Sequence, residues 1–186
     1  MGGVDKGLQP YQGRPLADWV LDALSKQLCA VNLNANRHLP QYADLLRGVQ
    51  PMAEVWPDDP DIAGSLGPLA GILTGLRRSR TPWLMVASCD APHIPKDLVE
   101  RLHQSAVAQG ADIAVPVTTT PQGDTHHHWV CALIHTRCKP SLEAALSSGE
   151  RRVGRWIQSC AWVGVSFAAP ADFTNINTLE ALHEQA

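Results

Sequence analysis

Asp90 follows the most apolar stretch of the sequence, Trp83-Leu84-Met85-Val86-Ala87, with only Ser88 and Cys89 between them. A carboxylate just past the C-terminal end of a strand stands where open α/β sheets bind their ligands. It suits Mg²⁺, which takes few protein ligands and leaves the rest of its shell to substrate phosphates and water. The same residue can also be a turn former or a cap ahead of the helix near Pro95. A second candidate is Gly2-Gly3-Val4-Asp5-Lys6-Gly7. Glycines let backbone N–H groups approach a phosphate closely, and Lys6 beside them can neutralise its charge. The spacing is not that of a P-loop, and a glycine-rich chain end can equally be a loose tail. Asn34 and Asp58 close two other strand-like runs. One amide and one carboxylate are the groups needed to read a nucleobase edge and a ribose, although both residue types also form turns.

Other motifs read more blandly. His126-His127-His128 cannot converge on one ion from a strand, because neighbours alternate faces; a polar loop or strand start is favoured. The five cysteines, Cys29, Cys89, Cys131, Cys138 and Cys160, form no C-x-x-C pair and are odd in number. They read as reduced, small apolar residues of a cytoplasmic protein, with neither a zinc knuckle nor a disulfide scaffold. The six tryptophans are scattered and read as packing residues. Glu150-Arg151-Arg152 is either a solvated helix start or an arginine clamp for an anionic substrate.

Strand-like and helix-like segments alternate along the chain. Apolar residues at three- and four-residue spacing predict a helix over 16–28. Strands are expected over 30–33, 52–56, 83–87, 113–117, 129–134 and 162–167. Further helices are expected over 42–46, 69–77, 98–107, 142–146, 153–157 and 179–183. The run 83–87 is apolar throughout, as for a parallel strand covered on both faces. The alternation predicts an α/β fold with a mostly parallel sheet.

Length and charge narrow the function. With 186 residues, 45% of them hydrophobic, the chain has the material for one core. Fifteen basic against eighteen acidic residues leave a net charge of −3, so no general grip on nucleic acid or anionic lipid is available. No apolar run reaches the ~20 residues needed to span a bilayer.

Six segments, in this order, resemble the molybdenum cofactor guanylyltransferase family over essentially the whole chain. They are Met1 to Gly7, Asn34-Ala35-Asn36-Arg37, Gly67-Pro68-Leu69-Ala70-Gly71, Cys89-Asp90-Ala91-Pro92-His93-Ile94-Pro95, Gly149-Glu150-Arg151-Arg152-Val153 and Asn175-Ile176-Asn177-Thr178. The resemblance implies a three-layer, Rossmann-like nucleotide-binding domain of the nucleotide-diphospho-sugar transferase kind, with a mainly parallel sheet. It implies transfer of GMP from GTP to the terminal phosphate of molybdenum-molybdopterin, with release of pyrophosphate. Lys6 then contacts the GTP phosphates, Asn34 and Asp58 bind the guanine nucleotide, and Gly67 and Gly71 line its pocket. Asp90 holds Mg²⁺ and nucleotide, while Arg152, Asn175 and Asn177 lie at the pterin and phosphate end. Lys6 and Asp90 are the catalytic pair, and cofactor-insertion proteins of molybdoenzymes are implied partners. The family's leading strand, its Leu-Ala-Gly-Gly turn and the arginine before Met1 have no counterpart here. The expectation is a single nucleotidyltransferase domain over 1–186, truncated at its N-terminus relative to the family and lacking the first central strand, with a longer working protein. Trp129 stands where the family usually has proline after the histidine. Alternatives are transfer of CMP or another nucleotide to a phosphorylated acceptor, or a truncated, non-catalytic nucleotide- or pterin-binding protein.

Overall fold

Leu16, Val20 and Leu24 come round to one side of a helix and are buried there, but the helix stops short of residue 28. The computed structural model describes residues 5–50, 53–62 and 67–173. The helix expected over 179–183 lies outside them. A one-turn 3₁₀ helix, Lys6–Leu8, leads into a hairpin of Pro10–Tyr11 (β1) and Arg14–Pro15 (β2). Leu16–Ser25 is α1. Leu33–Asn34 (β3) is followed by Leu39–Arg47 (α2) and Val55–Trp56 (β4), and β3 pairs with β4 in parallel. Pro68–Arg78 is α3, Trp83–Val86 is β5 and Leu98–Gln109 is α4. Ile113–Thr119 (β6), Thr125–His127 (β7) and Ala132–His135 (β8) come next. Lys139–Ser147 (α5), Val153–Gln158 (α6) and Trp162–Phe167 (β9) complete the regular elements.

The five-stranded sheet runs β5-β8-β6-β7, with β9 also on β6. It is mixed rather than mainly parallel. The β6–β9 ladder is parallel, while β5–β8, β6–β8 and β6–β7 are antiparallel. Loop length explains the correction. Thr120 and Asp124 exchange backbone and side-chain hydrogen bonds across a tight loop, and a connection that short can only reverse the chain. Strands β5, β6 and β9 still point the same way, because each of the first two opposes β8 and the last is parallel to β6. Strand β5 is half-buried rather than enclosed, because in the described ladders β8 is its single neighbour.

Side chains alternate across this sheet into two cores. Ala114, Leu133, Val163 and Val165 pack with α1 and α4, through Leu21, Leu24, Leu98 and Leu102. Ile113, Val115, Ala132 and Ile134 pack with α3, α5 and α6, through Leu73, Leu142 and Trp156. Helices therefore cover both faces, and the three-layer architecture holds. No ladder among the described residues joins β3–β4 to the larger sheet. Apolar packing makes the connection instead: Leu33 and Val55 share a core with Trp83 and Met85.

Candidate functional site

Asp90 is 6% exposed. Helix α4 is capped at Asp97, so Asp90 is not its cap. Its Oδ2 lies 3.4 Å from Lys6 Nζ, and the Ser88 hydroxyl donates to its Oδ1. The 3₁₀ turn that carries Lys6 is held from two sides. The Tyr42 hydroxyl on α2 donates to Asp5 Oδ1. A Cβ at Gly7 would overlap that same hydroxyl and sit 3.1 Å from Cys89 Sγ. Only glycine lets the backbone pass here. Burial, then the hydrogen bond to Asp5, raises the Tyr42 hydroxyl above its ordinary value. Burial, with the carboxylates of Asp90 and Asp5, pushes the Cys89 thiol up to about 11. Both groups stay protonated near neutrality and serve as packing, not as nucleophiles. The hairpin after this turn is pinned to the loop after Asp90 by a 2.9 Å hydrogen bond between Tyr11 Oη and His93 Nε2.

A second cluster forms where β3 and β4 end. Asn34 Nδ2 donates to Asp58 Oδ1 at 3.0 Å and to the Trp56 carbonyl at 2.9 Å. Asn36 Nδ2 donates to Asp58 Oδ2 at 2.8 Å, and its Oδ1 accepts from the Asp58 backbone N–H. Asp58 is thus held by two amides, with acceptor capacity left over. Gly71 on α3 packs against this pair: a Cβ there would overlap Asn34 Oδ1. Gly67, the N-cap of α3, has φ +64° and ψ −155°, a region open essentially to glycine alone. Asn34, Asp58 and Gly71 are therefore brought together, as are Lys6 and Asp90.

Arg152 stands apart on the exposed N-terminus of α6. The backbone N–H groups of Arg152 and Arg151 both donate to Glu150 Oε1 at 2.8 Å, and hold that carboxyl below its ordinary value. Asn175 and Asn177 lie outside the described residues. A feature with no sequence signal is a cavity of about 200 Å³ lined by Ser88, Ala91, His127, His128, Trp129 and Phe173, among others. His127 stacks on Trp129 with ring centroids 4.7 Å apart, and His128 stacks on Phe173 at 4.6 Å. A Cβ at Gly154 would sit 3.0 Å from Trp129 Nε1, so Trp129 ties the start of α6 to the cavity wall.

A family model described as the MobA-like NTP transferase domain matches residues 1–163. The molybdenum cofactor guanylyltransferase of Cupriavidus taiwanensis is 43% identical over 183 residues, which is 98% of this chain and 87% of that protein. That of Bordetella petrii is 43% identical over 99% of this chain and 89% of its own length. The chain belongs to the molybdenum cofactor guanylyltransferase family. Among solved structures, the molybdopterin-guanine dinucleotide biosynthesis protein A of Archaeoglobus fulgidus matches with a TM-score of 0.69 at 22% identity, over 98% of this chain and 89% of that one. The 2-C-methyl-D-erythritol 4-phosphate cytidylyltransferase of Thermus thermophilus matches with a TM-score of 0.73 at 17% identity, over 95% of this chain and 90% of that one. At these identities the structures share the fold.

Family membership gives the Gly71 contact a testable meaning. Gly71→Ala places a methyl group against Asn34 Oδ1, so the amide must leave its bonds to Trp56 and Asp58. Overpacking of this kind costs about 1–3 kcal/mol. The expected result is a KM for nucleotide raised about tenfold, with a thermal midpoint lowered by several degrees, as a loss of about 1–3 kcal/mol implies for a domain of this size. An unchanged KM would remove the Asn34–Asp58 cluster from the nucleotide pocket.

Proposed function

We propose that this chain transfers GMP from GTP to the terminal phosphate of molybdenum-molybdopterin, forming the guanine dinucleotide cofactor and releasing pyrophosphate. The observation that carries the reading is a nearly buried carboxylate at the end of a strand, Asp90, with an ammonium group 3.4 Å away. Its chemical context comes from relatives of that name at 43% identity. The terminal phosphate oxygen of the acceptor attacks the α-phosphorus of GTP, and the bond from that phosphorus to the pyrophosphate oxygen breaks. No covalent enzyme intermediate is needed, which accords with buried thiols at Cys89 and Cys131 whose pKa values are raised to about 11 and about 12.

The protein's task is to hold two polyanions in line and balance the charge that develops on the leaving group. Lys6 supplies one positive charge there. Asn34 and Asp58 orient the base and ribose, Gly67 and Gly71 keep their pocket open, and Arg152, Asn175 and Asn177 serve the acceptor side. Asp90 with the Ser88 hydroxyl is the donor set for Mg²⁺. It fits an ion that takes one or two carboxylates and completes its shell from phosphates and water. The described residues contain no group of three or more His, Cys, Asp or Glu side chains placed to hold a metal. When bound, Mg²⁺ would offset negative charge on the phosphates and on the departing pyrophosphate. The finished dinucleotide passes on this reading to proteins that insert it into molybdoenzymes. No described helix is long and apolar enough to cross a membrane.

Pyrophosphate release from GTP in the presence of molybdenum-molybdopterin and Mg²⁺ tests the proposal. The expected kcat/KM with GTP exceeds that with CTP by at least about tenfold, a difference of ~1.4 kcal/mol in transition-state binding. A preference for CTP would replace guanylyl by cytidylyl transfer. No release with either nucleotide would overturn the catalytic reading.

A further inference from the structure

We infer that Arg77 is a positioning residue for nucleotide binding: from α3 it fixes the loop after β4 and so sets where Asp58 presents its carboxylate. The inference deepens the proposed function and rests on its assignment of the Asn34–Asp58 cluster to the nucleotide. The loop carries Asp58-Asp59-Pro60-Asp61, three carboxylates in four residues. Left to themselves these like charges repel and spread the loop. Arg77 holds two of them. Its Nη1 lies 3.1 Å from Asp59 Oδ2 and 2.9 Å from both carboxylate oxygens of Asp61. Its Nε donates to Glu143 Oε1 on α5 at 3.1 Å, and its Nη2 is 3.0 Å from the same oxygen. One planar guanidinium thus bridges carboxylates from two segments of the chain, a geometry that the single nitrogen of lysine cannot reproduce.

The rest of the loop's support comes from the same face of α3. Gly71, Thr74 and Arg78 recur at three- and four-residue spacing, which puts them on one stripe of the helix. Gly71 packs against Asn34 Oδ1. The buried Thr74 hydroxyl accepts from the Asp59 backbone N–H at 3.2 Å. Arg78 Nη2 lies 3.4 Å from Asp59 Oδ1, and its guanidinium sits 5.5 Å from the centre of the Trp56 ring. The Ile62 N–H donates to the Asp59 carbonyl at 2.9 Å. That bond closes a turn with Pro60 at its second position, where a fixed φ stiffens it. Asp59 is therefore held at its N–H, its carbonyl and both carboxylate oxygens, with its side chain 16% exposed. It shares a peptide bond with Asp58, whose own oxygens accept from Asn34 and Asn36. With Asp59 fixed, Asp58 stays in reach of both amides. Arg77 acts on Asp58 through this loop, so it affects binding rather than the chemical step.

Two measurements test the inference: titration calorimetry with GTP, and steady-state pyrophosphate release from GTP and molybdenum-molybdopterin. Both are made on the parent, Arg77→Gln, Asp58→Ala and the double variant. Arg77→Gln removes the charge and the fork while keeping a polar side chain. It is expected to weaken GTP binding about tenfold and to raise KM equally, with kcat at saturating GTP within about twofold of the parent. Asp58→Ala alone is expected to weaken GTP binding at least about tenfold. In that background Arg77→Gln should change the dissociation constant of GTP by less than about twofold, because no carboxylate remains to be positioned. A merely structural arginine would give the same loss in both backgrounds, and that result would overturn the inference. So would GTP binding by Arg77→Gln within about twofold of the parent, or a fall in kcat without a change in KM. If Arg77→Gln fails to fold, as judged by its thermal melt, Arg77→Lys takes its place in the cycle. It keeps the charge without the fork and is expected to weaken GTP binding at least about threefold; unchanged binding would overturn the inference. Parental GTP binding in Asp58→Ala would remove the nucleotide assignment of the cluster, and the inference with it. Failure of the transfer reading looks different: the calorimetric cycle shows the coupling, but no pyrophosphate is released by the parent.

Discussion

Asp90→Asn is expected to lower kcat for pyrophosphate release about 10³-fold, at the upper end of what loss of one preorganised electrostatic group costs. The substitution keeps the side chain's shape and an oxygen that can still accept from Ser88. It removes the negative charge that faces Lys6 and would hold Mg²⁺. Stability should change by no more than about 1 kcal/mol, because the Lys6 side chain is 39% exposed and a solvent-screened ion pair contributes little. The two readouts together are diagnostic. Single-turnover pyrophosphate release measures chemistry, and a thermal melt measures folding. A variant that retains more than a tenth of parental kcat would take Asp90 out of the reacting centre. A variant that loses both activity and several degrees of stability would make Asp90 a structural group instead.

Trp156→Ala is expected to have the largest effect on stability, about 3–5 kcal/mol. Trp156 is 1% exposed and sits in the core formed by α3, α5 and α6 against the sheet. Its Nε1 donates to Ser141 Oγ at 3.3 Å, which joins α6 to α5. Truncation leaves a cavity the size of an indole and removes the hydrogen bond that joins the two helices. A domain of this kind has about 5–15 kcal/mol to lose, so the urea midpoint should fall by a large fraction while the slope stays constant. Val107→Ala is the control. Val107 is on a helix but 61% exposed, and its change should stay within about 0.5 kcal/mol. A small effect at Trp156 would mean that α6 is not seated as described, and Arg152 with it.

Several site residues were legible because their signals are local. A run of five apolar residues ending at Ser-Cys-Asp marks a strand and the carboxylate beyond it, and Asp90 stands there. Asn34 and Asp58 were legible as strand-end residues for the same reason. That Asn34 donates to Asp58 depends on β3 pairing with β4 in parallel, which neither segment encodes alone. Lys6 was ambiguous between a phosphate ligand and a loose tail. Tyr42 and Cys89, distant in sequence, hold its turn in place. The 126–128 run read as polar loop or strand start. His126 and His127 belong to β7, and the rings of His127 and His128 stack on Trp129 and Phe173.

The sequence by itself determined the alternation of strands and helices, the residues that close the strands, and the ordered motifs that mark the family. These are properties of neighbouring residues: apolar period, turn chemistry and spacing. The tertiary structure alone decided the direction of β8, the two-sided core and the grouping of site residues. It also decided the aromatic cavity, whose walls come from the end of β5, the loop after Asp90, the turn after β7 and Phe173. No periodicity connects those four segments. They meet because helices packed on both faces of a mixed sheet bring its loops to a shared end, and that meeting is a property of packing rather than of any stretch of sequence.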